Sequence, residues 1–423
     1  MVKIDMRCII AAGRRWLLAA FLCAVFSLGT AVASAARSAN LDKGILFWPM
    51  MEGAVGYTVT ITGGKTATPS SRTYKNVYCP ALEVELGWLG EDRVSATWSV
   101  IGIDVDHKRV GATEPEPLSM AVMHPDAPMI FDEYADMDYV PLYPVYAWAP
   151  IINASSYEVE LYKVGADGME KRVRHFYTYE HSEYDAAPLN EAGTYYYRVR
   201  ALDGNGRMYS EWNRSRDWVV TPSSPIAALG DSITHGGGVI SVPPSLKLYC
   251  WESYTGDVKV KNLGKSGDET GDMLERFDRD VLPFAPKVLI IFGGVNDIRA
   301  GKTSGDVIYN LRAIMNKCEA HGITPVLVTV PPVNPSRMDA AGIEEPAYGW
   351  RSEREAVNAW IRRQTHFVDV ATFLTDEDGN MRREFTSDGL HPDYDAKKFI
   401  GEQIGKYIGE HFENLNDAGD SKK

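Results

Sequence analysis

The pattern of apolar and polar residues changes once along this 423-residue chain. Residues 41–222 contain short runs in which apolar and polar positions alternate, such as GYTVTI, SYEVEL and TYYYRVRAL, with turn-forming residues between them. Such alternation is typical of β-strands with one buried face. From residue 225 onward, continuous apolar runs alternate with segments of helical period, which indicates strands buried on both faces and joined by helices. The pattern predicts an all-β part followed by an α/β part.

The all-β part repeats itself with an offset of 99 to 100 residues. Trp48 precedes Tyr57 by nine residues in the first copy, and Trp148 precedes Tyr157 by nine residues in the second. The later segments ATWSVIGID and YYYRVRALD correspond in the same way. A fixed offset of this size, combined with short alternating strands, predicts two tandem β-sandwich domains.

The two predicted sandwiches span residues 41–123 and 127–222. The second copy resembles fibronectin type III modules in the segment from Leu189 to Ala201 and in the turn that follows it. The first copy is more divergent, so its assignment depends mainly on the repeat. Modules of this kind act as spacers or binding domains, and their fold alone does not specify a function.

The α/β part is predicted to form a three-layer domain over residues 225–413, behind a proline- and serine-rich linker, VVTPSSP. Five strands are predicted, at Ile226–Leu229, Val258–Asn262, Val288–Phe292, Pro325–Val330 and Phe367–Val370. Apolar residues at helical spacing lie between and after them, the first group being Met273, Leu274, Phe277 and Val281. This order of elements predicts a parallel sheet covered on both faces. A polar tail, residues 414–423, is expected to follow the domain.

Polar residues of the types used in acyl transfer follow the ends of these elements. Ser232 lies in LGDSITHGGG after the first strand, and Gly267 lies in NLGKSGDET, where it is expected to open a helix. Asn296 lies in GGVND after the third strand, and SDGLHP places Asp388 three residues before His391. Sites in parallel α/β sheets form at the carboxyl ends of strands. We therefore expect these residues to meet there.

The chemistry of ester cleavage gives each of these residues a role. A serine hydroxyl is a weak nucleophile that needs a base, and His391 suits that task because its ordinary pKa is near neutrality. Asp388 can hold the imidazole in one tautomer and stabilise its cation. The backbone N–H groups of Ser232 and Gly267 and the amide of Asn296 can form an oxyanion hole. Each motif alone also suits an ordinary turn or helix cap, whereas their joint occurrence favours catalysis.

These blocks resemble those of the SGNH (GDSL) hydrolase superfamily: Gly-Asp-Ser, then a glycine, then Gly-x-Asn-Asp, then Asp-x-x-His. The resemblance covers less than half of the chain. It implies a flavodoxin-like fold and esterase or lipase activity without a metal or cofactor. It also implies that Ser232, Gly267, Asn296 and His391 take the four named roles, with Asp388 completing a triad. Ser232 is not within a G-x-S-x-G elbow, which argues against the other major α/β-hydrolase fold.

The residues after the nucleophile motif have a less definite interpretation. His235 and the three glycines that follow it are expected to form a mobile rim of the pocket or simply a flexible loop. The nine histidines show no H-x-H or HExxH spacing, and the chain contains no C-x-x-C. The sequence therefore gives no support for a metal site.

The amino terminus indicates export. Basic residues precede an apolar stretch that ends in small residues with A-x-A spacing, so residues 1–35 are predicted to be a signal peptide. The alternatives are a membrane anchor and, at Cys23, a lipoprotein. Removing this segment changes the formal net charge from −13 to about −16. So acidic a protein is not expected to bind nucleic acid or anionic membranes. The three remaining cysteines, Cys79, Cys250 and Cys318, indicate no disulfide framework, although one pair remains open.

The sequence thus leads to the hypothesis of an exported serine esterase, periplasmic or secreted to the cell surface, that cleaves O-acyl esters. The favoured substrate is an O-acetylated carbohydrate, and another small ester is the alternative partner. A lipase or thioesterase for longer acyl chains remains a second interpretation. The third is a non-catalytic protein in which the sandwich domains bind glycan. No cofactor, nucleic-acid partner or stable membrane insertion is expected after signal cleavage, and the oligomeric state is left open.

Overall fold

A computed structural model of the chain describes most of the predicted domains. Its described residues are 43–49, 51–52, 54, 56–64, 70–77, 80–104, 108–118, 126–151, 153–237 and 245–412. The predicted signal peptide, the polar tail and Cys79 lie outside these ranges. Within them, no helix is both long enough and apolar enough to cross a membrane.

The first region, residues 43–118, is built from antiparallel sheets and a 3-10 helix at Gly87–Ser95. Its strands β1–β7 are Lys43–Phe47, Gly56–Thr62, Ser71–Val77, Ala81–Glu85, Thr97–Ile103, Arg109–Ala112 and Glu116–Pro117. Strands β1 and β4 form one sheet, and the order β3-β2-β5-β6 forms the other, with β7 also paired to β5. Alternate side chains of β2 and β5 are buried, as the sequence pattern predicts for strands with one buried face.

The second region, residues 126–220, repeats this arrangement after a short 3-10 helix at Glu133–Asp136. Its strands β8–β14 are Val145–Ala147, Ser156–Val164, Glu170–Thr178, Ser182–Tyr184, Gly193–Leu202, Asn213–Arg214 and Trp218–Val220. Strands β8 and β11 pair with each other, and the larger sheet has the order β10-β9-β12-β13, with β14 also paired to β12. Both regions therefore combine a two-stranded with a five-stranded antiparallel sheet.

The repeated aromatic residues occupy corresponding positions in the two cores. The rings of Trp48 and Tyr57 have centroids 5.3 Å apart, and those of Trp148 and Tyr157 are 5.2 Å apart. The hydroxyl of Tyr157 accepts the N–H of Ile151 at 2.7 Å. The hydroxyl of Tyr57 faces the equivalent backbone N–H at 3.5 Å. The sequence repeat therefore reflects a repeated packing unit.

The C-terminal domain contains a five-stranded parallel sheet. Its strands β15–β19 are Ile226–Gly230, Lys261–Gly264, Val288–Phe292, Thr324–Val328 and Phe367–Val368, in the order β16-β15-β17-β18-β19. Every residue of β15 and β17 is buried, because these central strands are covered on both faces. Helices α1–α9 are Ser232–His235, Thr270–Glu275, Phe277–Asp280, Val295–Arg299, Ser304–Ala320, Pro335–Ala340, Trp350–Ile361, Ala371–Leu374 and Tyr394–His411. Short 3-10 helices lie at Lys247–Tyr249, Trp251–Tyr254, Leu282–Phe284 and Arg383–Phe385.

Several predicted elements differ from the structure at their ends. The fourth strand lies at Thr324–Val328 and not Pro325–Val330, the fifth ends at Val368 and not Val370, and the first two residues of the predicted linker belong to β14. The second strand was expected at Val258–Asn262 but lies at Lys261–Gly264, because its register begins where Ala227 pairs with Lys261. Val258 and Val260, the alternating apolar residues before this point, are buried but precede the strand. The first predicted helical face is divided between α2 and α3, which are separated by Arg276.

Cysteine placement agrees with packing rather than crosslinking. Cys318 is fully buried on the inner face of α5. Cys250 is also buried, and neither thiol forms a disulfide among the described residues.

Candidate active site

Ser232 is the first residue of α1, directly beyond the carboxyl end of β15. The preceding aspartate, Asp231, caps the helix: its carboxylate accepts the N–H of Ile233 at 2.9 Å. Only glycine fits at position 230, because a Cβ there would lie 2.3 Å from the carbonyl oxygen of Phe292 and 2.4 Å from Thr234 Oγ1. The Gly-Asp-Ser sequence thus makes a tight strand-to-helix turn that presents the serine at the sheet edge.

A buried lysine supports this turn from the last helix. Lys397 of α9 is fully buried, and its Nζ donates a hydrogen bond of 2.5 Å to the carbonyl oxygen of Ile233. Burial lowers the pKa of Lys397 to about 8, and burial raises the pKa of Asp231 to about 7, against the opposing effects of the Ile233 N–H and of Lys397. Sequence reasoning missed Lys397, whose only signal is a lysine beside the apolar face of a helix.

The structure brings Ser232, His391 and Asp388 into one chain of hydrogen bonds. His391 Nε2 lies 3.0 Å from Ser232 Oγ, and His391 Nδ1 lies 2.8 Å from Asp388 Oδ2. A carboxylate can only accept, so Nδ1 carries the proton of the neutral imidazole and Nε2 is left to accept the serine proton. This is the geometry that a general base requires.

Asp388 is held as an acceptor by its own turn. Its Oδ1 accepts the N–H groups of Leu390 and His391, each at 2.8 Å. Burial acts to raise its pKa, but the hydrogen bonds from the His391 ring and from the N–H groups of His391 and Leu390 outweigh burial, so the pKa of Asp388 lies below its ordinary value. Gly389 has φ +82°, and a Cβ there would lie 2.4 Å from the carbonyl oxygen of Asn334. Glycine therefore lets the triad turn pack closely on the segment before α6.

The residues predicted for the oxyanion hole lie on the neighbouring loops. Gly267 has φ +88° in an exposed turn three residues before α2, so it precedes the helix and does not open it, contrary to expectation. Asn296 is the second residue of α4, and its Nδ2 donates to the carbonyl oxygen of Asp268 at 2.9 Å. That bond fixes the amide against the Gly267 turn and uses one of its two N–H groups.

Two backbone N–H groups of the predicted oxyanion hole have no acceptor within the described residues. Neither the N–H of Ser232 nor that of Gly267 donates a hydrogen bond to any residue in the part of the chain that the structure describes. Free N–H groups beside a nucleophile are what a developing oxyanion needs. Their roles remain predictions, supported by this arrangement.

His235 is not part of a mobile rim, and that expectation was wrong. Its side chain is only 2% exposed, and its ring is bonded on both sides: Nε2 lies 2.6 Å from the carbonyl oxygen of Tyr143, and Nδ1 lies 2.9 Å from Ser266 Oγ. Burial lowers the pKa of His235 to about 4, so the ring is neutral near pH 7. The residue was misinterpreted because its partner, Tyr143, lies 92 positions away.

A small cavity lies beside α4, and none of the triad or predicted oxyanion residues lines it. Its walls are mainly apolar and come from α4, α7 and the segment after β18. The lining residues are Val295, Ile298, Arg299, Val330, Pro331, Val333, Trp350 and Arg354. No sequence motif marked this cavity, because it is assembled from three distant segments.

One group of residues in the second region has side chains suited to a metal ion. The ligand atoms of Glu158, Glu160 and His175 lie within 4.8 Å of one another on β9 and β10. The carboxylates are already paired with cations: Glu158 with Arg200 at 2.6 Å, and Glu160 with Arg198 at 2.6 Å. This donor set therefore forms an ion-pair ladder on the sheet, and it lies apart from the triad motifs.

Several solved structures are similar to part of this chain. A putative lipolytic protein of the G-D-S-L family from Desulfitobacterium hafniense is 24% identical, covering 43% of this chain and 98% of its own, with a TM-score of 0.35. The lipase/acylhydrolase from Enterococcus faecalis is 24% identical over 44% of this chain and 96% of its own, with a TM-score of 0.36. The acetyl xylan esterase AlAXEase is 19% identical over 43% and 98%, with a TM-score of 0.33.

No curated protein is similar enough to this chain to count as a relative. Residues 228–397, however, match the GDSL-like Lipase/Acylhydrolase family. The matched range contains the nucleophile motif, the Gly267 turn, Asn296 and both remaining triad residues. This match supports the assignment of the C-terminal domain to the GDSL-like lipase/acylhydrolase superfamily, and that family indicates an ester-hydrolysing enzyme.

Proposed function

We propose that this chain is a serine esterase that hydrolyses O-acyl esters through an acyl-enzyme on Ser232. The observation that carries the proposal is the continuous hydrogen-bonded chain from Ser232 through His391 to Asp388. The fold of a sheet edge does not require this series of hydrogen bonds. Acyl transfer does, because it needs a nucleophile, a base and an orienting carboxylate.

In the first half-reaction, Ser232 Oγ attacks the ester carbonyl carbon while His391 Nε2 takes the hydroxyl proton. The carbonyl electron pair moves onto oxygen, and the resulting oxyanion is stabilised by the N–H groups of Ser232 and Gly267 and by the Asn296 amide. When the tetrahedral intermediate collapses, the bond to the leaving oxygen breaks and His391 protonates the departing alcohol. Asp388 stabilises the imidazolium that forms between these steps.

In the second half-reaction, water replaces the alcohol. His391 accepts a proton from the water as its oxygen attacks the acyl carbon, and the same N–H groups stabilise the second oxyanion. Collapse breaks the bond to Ser232 Oγ, which regains its proton from His391 and releases the carboxylic acid. The base must be neutral at the start of both half-reactions, because only a neutral imidazole can accept a proton.

The favoured substrate is a short acyl ester, an acetyl group on a carbohydrate. The preference for carbohydrate is supported by the two sandwich regions, which we propose are fibronectin III-like modules. The second is assigned by its resemblance from Leu189 to Ala201, and the first mainly by the repeat. We also propose that the basic and apolar amino terminus directs export, to the periplasm or the cell surface.

The decisive experiment compares the mature protein with its Ser232→Ala and Asp388→Asn variants on p-nitrophenyl acetate, butyrate and octanoate. We expect Ser232→Ala to remove turnover above background and Asp388→Asn to lower kcat by about 10⁴-fold, since the asparagine holds the wrong imidazole tautomer. Turnover that persists in Ser232→Ala would refute the proposal. Faster cleavage of octanoate than of acetate would identify a lipase or thioesterase instead.

If neither the protein nor its variants cleaves these esters, acetylated glycans become the test substrate. Release of acetate that depends on Ser232 would support a carbohydrate esterase. Glycan binding by the intact protein without any release would support a non-catalytic binding protein.

A further inference from the structure

A segment of the second region lies along the edge of the hydrolase sheet. Strand β16 is the edge strand of that sheet, and residues between 138 and 144 contact it and the residues just before it. The N–H of Leu142 donates to the carbonyl oxygen of Asn262 at 2.9 Å, and Lys261 Nζ donates to that of Val140 at 2.6 Å. Leu142 and Tyr143 are buried in the same apolar cluster as the central strands. We call residues 138–144 the edge segment.

The backbone of the edge segment contacts the helix that begins with Ser232. The carbonyl oxygen of Tyr143 can only accept, so His235 Nε2 carries the proton in their 2.6 Å hydrogen bond. His235 Nδ1 then accepts from the hydroxyl of Ser266 at 2.9 Å. His235 ends α1, and Ser266 directly precedes Gly267. One buried imidazole therefore links the second region to the nucleophile helix and to the oxyanion turn.

The Tyr143 side chain makes a separate connection. Its hydroxyl donates to Asp280 Oδ2 at 2.5 Å and accepts from Arg279 Nη2 at 2.8 Å. Burial acts to raise the pKa of Asp280, but hydrogen bonds from Arg279 and Tyr143 outweigh it and lower that pKa. Asp280 is therefore a carboxylate at neutral pH, fully buried and dependent on these donors.

Arg276 links Asp280 to the active-site loops by hydrogen bonds. The Arg276 guanidinium is buried and donates to Asp280 Oδ2 at 3.2 Å. It also donates to the carbonyl oxygen of Gly230 at 3.0 Å and to Asp268 Oδ2 at 2.5 Å. Gly230 lies two residues before Ser232, and the Asp268 carbonyl oxygen holds the amide of Asn296. Arg276 therefore contacts both the nucleophile turn and the loop that orients the oxyanion donors.

We propose that Tyr143, in the second N-terminal region, is a positioning residue of the C-terminal active site. Its carbonyl oxygen and its hydroxyl hold the two loops that carry Ser232 and Gly267 at the spacing that catalysis requires. The second region is thus a structural part of the hydrolase site and not a detachable accessory. This proposal rests on the proposed esterase function. It predicts that loss of the hydroxyl affects the chemical step more than substrate binding, because preorganised donors act on the transition state.

The test uses the full mature chain with Tyr143→Phe, which removes one hydroxyl and keeps the ring. Tyr179→Phe is the matched control, since Tyr179 lies on the same region and is 81% exposed. Each protein is titrated with a fluorophosphonate that labels the nucleophilic serine, and kcat and KM on p-nitrophenyl acetate are expressed per titrated site. We expect Tyr143→Phe to lower kcat about tenfold, with KM within about twofold, because small displacements of catalytic groups are costly. The phosphonylation rate constant per site should fall in parallel.

Titration separates positioning from folding. A purely structural role would lower the fraction of titratable sites while each remaining site reacts at the wild-type rate, and that result would overturn the proposal. If Tyr143→Phe does not fold, Arg279→Gln tests the Tyr143–Asp280 connection from its half-exposed side, because Arg279 donates to both groups. We expect a loss of about threefold, and a wild-type rate per site would overturn the proposal. Turnover that persists in Ser232→Ala refutes the esterase function and the positioning role together. Serine-dependent turnover with a normal Tyr143→Phe rate refutes the positioning role alone.

Discussion

The two N-terminal regions are built on the same plan but contact the hydrolase domain differently. Each has a buried tryptophan against a tyrosine, between a two-stranded and a five-stranded antiparallel sheet. The first region contributes Ile45 and Ala81 to a small apolar cluster shared by all three parts of the chain. The second contributes Leu142 and Tyr143 to the main core of the hydrolase domain and adds directional hydrogen bonds to it. Apolar contacts can hold domains together, whereas directional bonds can also set the position of catalytic loops.

Substitution of the equivalent tryptophans is expected to give the largest difference between the regions. Trp48→Ala and Trp148→Ala each empty a core site, and each should lower the free energy of unfolding of its own region by about 3–5 kcal/mol. Only Trp148→Ala should also lower esterase activity, because loss of order in the second region releases the edge segment. Chemical denaturation gives the stability, and kcat per titrated serine gives the activity.

Equal loss of activity in both tryptophan variants would refute the difference between the two regions. The same conclusion would follow if Trp148→Ala kept the wild-type kcat although its region had lost its near-UV circular dichroism signal. Tyr179→Phe again serves as the control, since an exposed side chain should change neither quantity.

The sequence was informative where chemistry is local and uninformative where it depends on distant contacts. Asp388 and His391 lie within one turn, and Ser232 directly follows an apolar strand, so short motifs were enough to find them. Tyr143 lies 92 positions from His235 and 137 from Asp280, and nothing near it in sequence indicates a role. Arg276 lies within the run of residues that predicted one helix, and in the structure it separates α2 from α3.

Lys261, whose Nζ donates to Val140 in the edge segment, allows a pH-dependent test of that buried contact. Burial lowers the pKa of Lys261 to about 7 in the folded chain, against about 10.4 when unfolded. Between these values the unfolded state binds more protons than the folded state, so the free energy of unfolding rises with pH. Lys261→Met lacks this titration. The stability of the wild type relative to Lys261→Met should therefore increase by about 3 kcal/mol between pH 6.5 and 9.5.

Other titrating groups cancel in this comparison, because they are common to both proteins. Lys259→Met is the matched control, because it makes the same substitution at an exposed ammonium, 3.3 Å from Asp138. A difference between the wild type and Lys261→Met that is the same at every pH would show that Lys261 does not titrate in this range and would weaken the account of a buried contact with Val140.

The smallest expected effect concerns the outer faces of the two large sheets, where equivalent positions differ in charge. Thr60 of the first region faces Thr73, with hydroxyls 3.2 Å apart, whereas Glu160 of the second is paired with Arg198 and Arg172. Glu160→Gln leaves two guanidinium groups without their carboxylate and should cost about 1–2 kcal/mol of unfolding free energy, less at high salt. Thr60→Val should change stability by less than about 0.5 kcal/mol at any salt concentration. Denaturation at low and high ionic strength measures both variants. Equal, salt-independent losses would mean that the ion-pair ladder adds nothing to the second region beyond what neutral cross-strand pairs give the first.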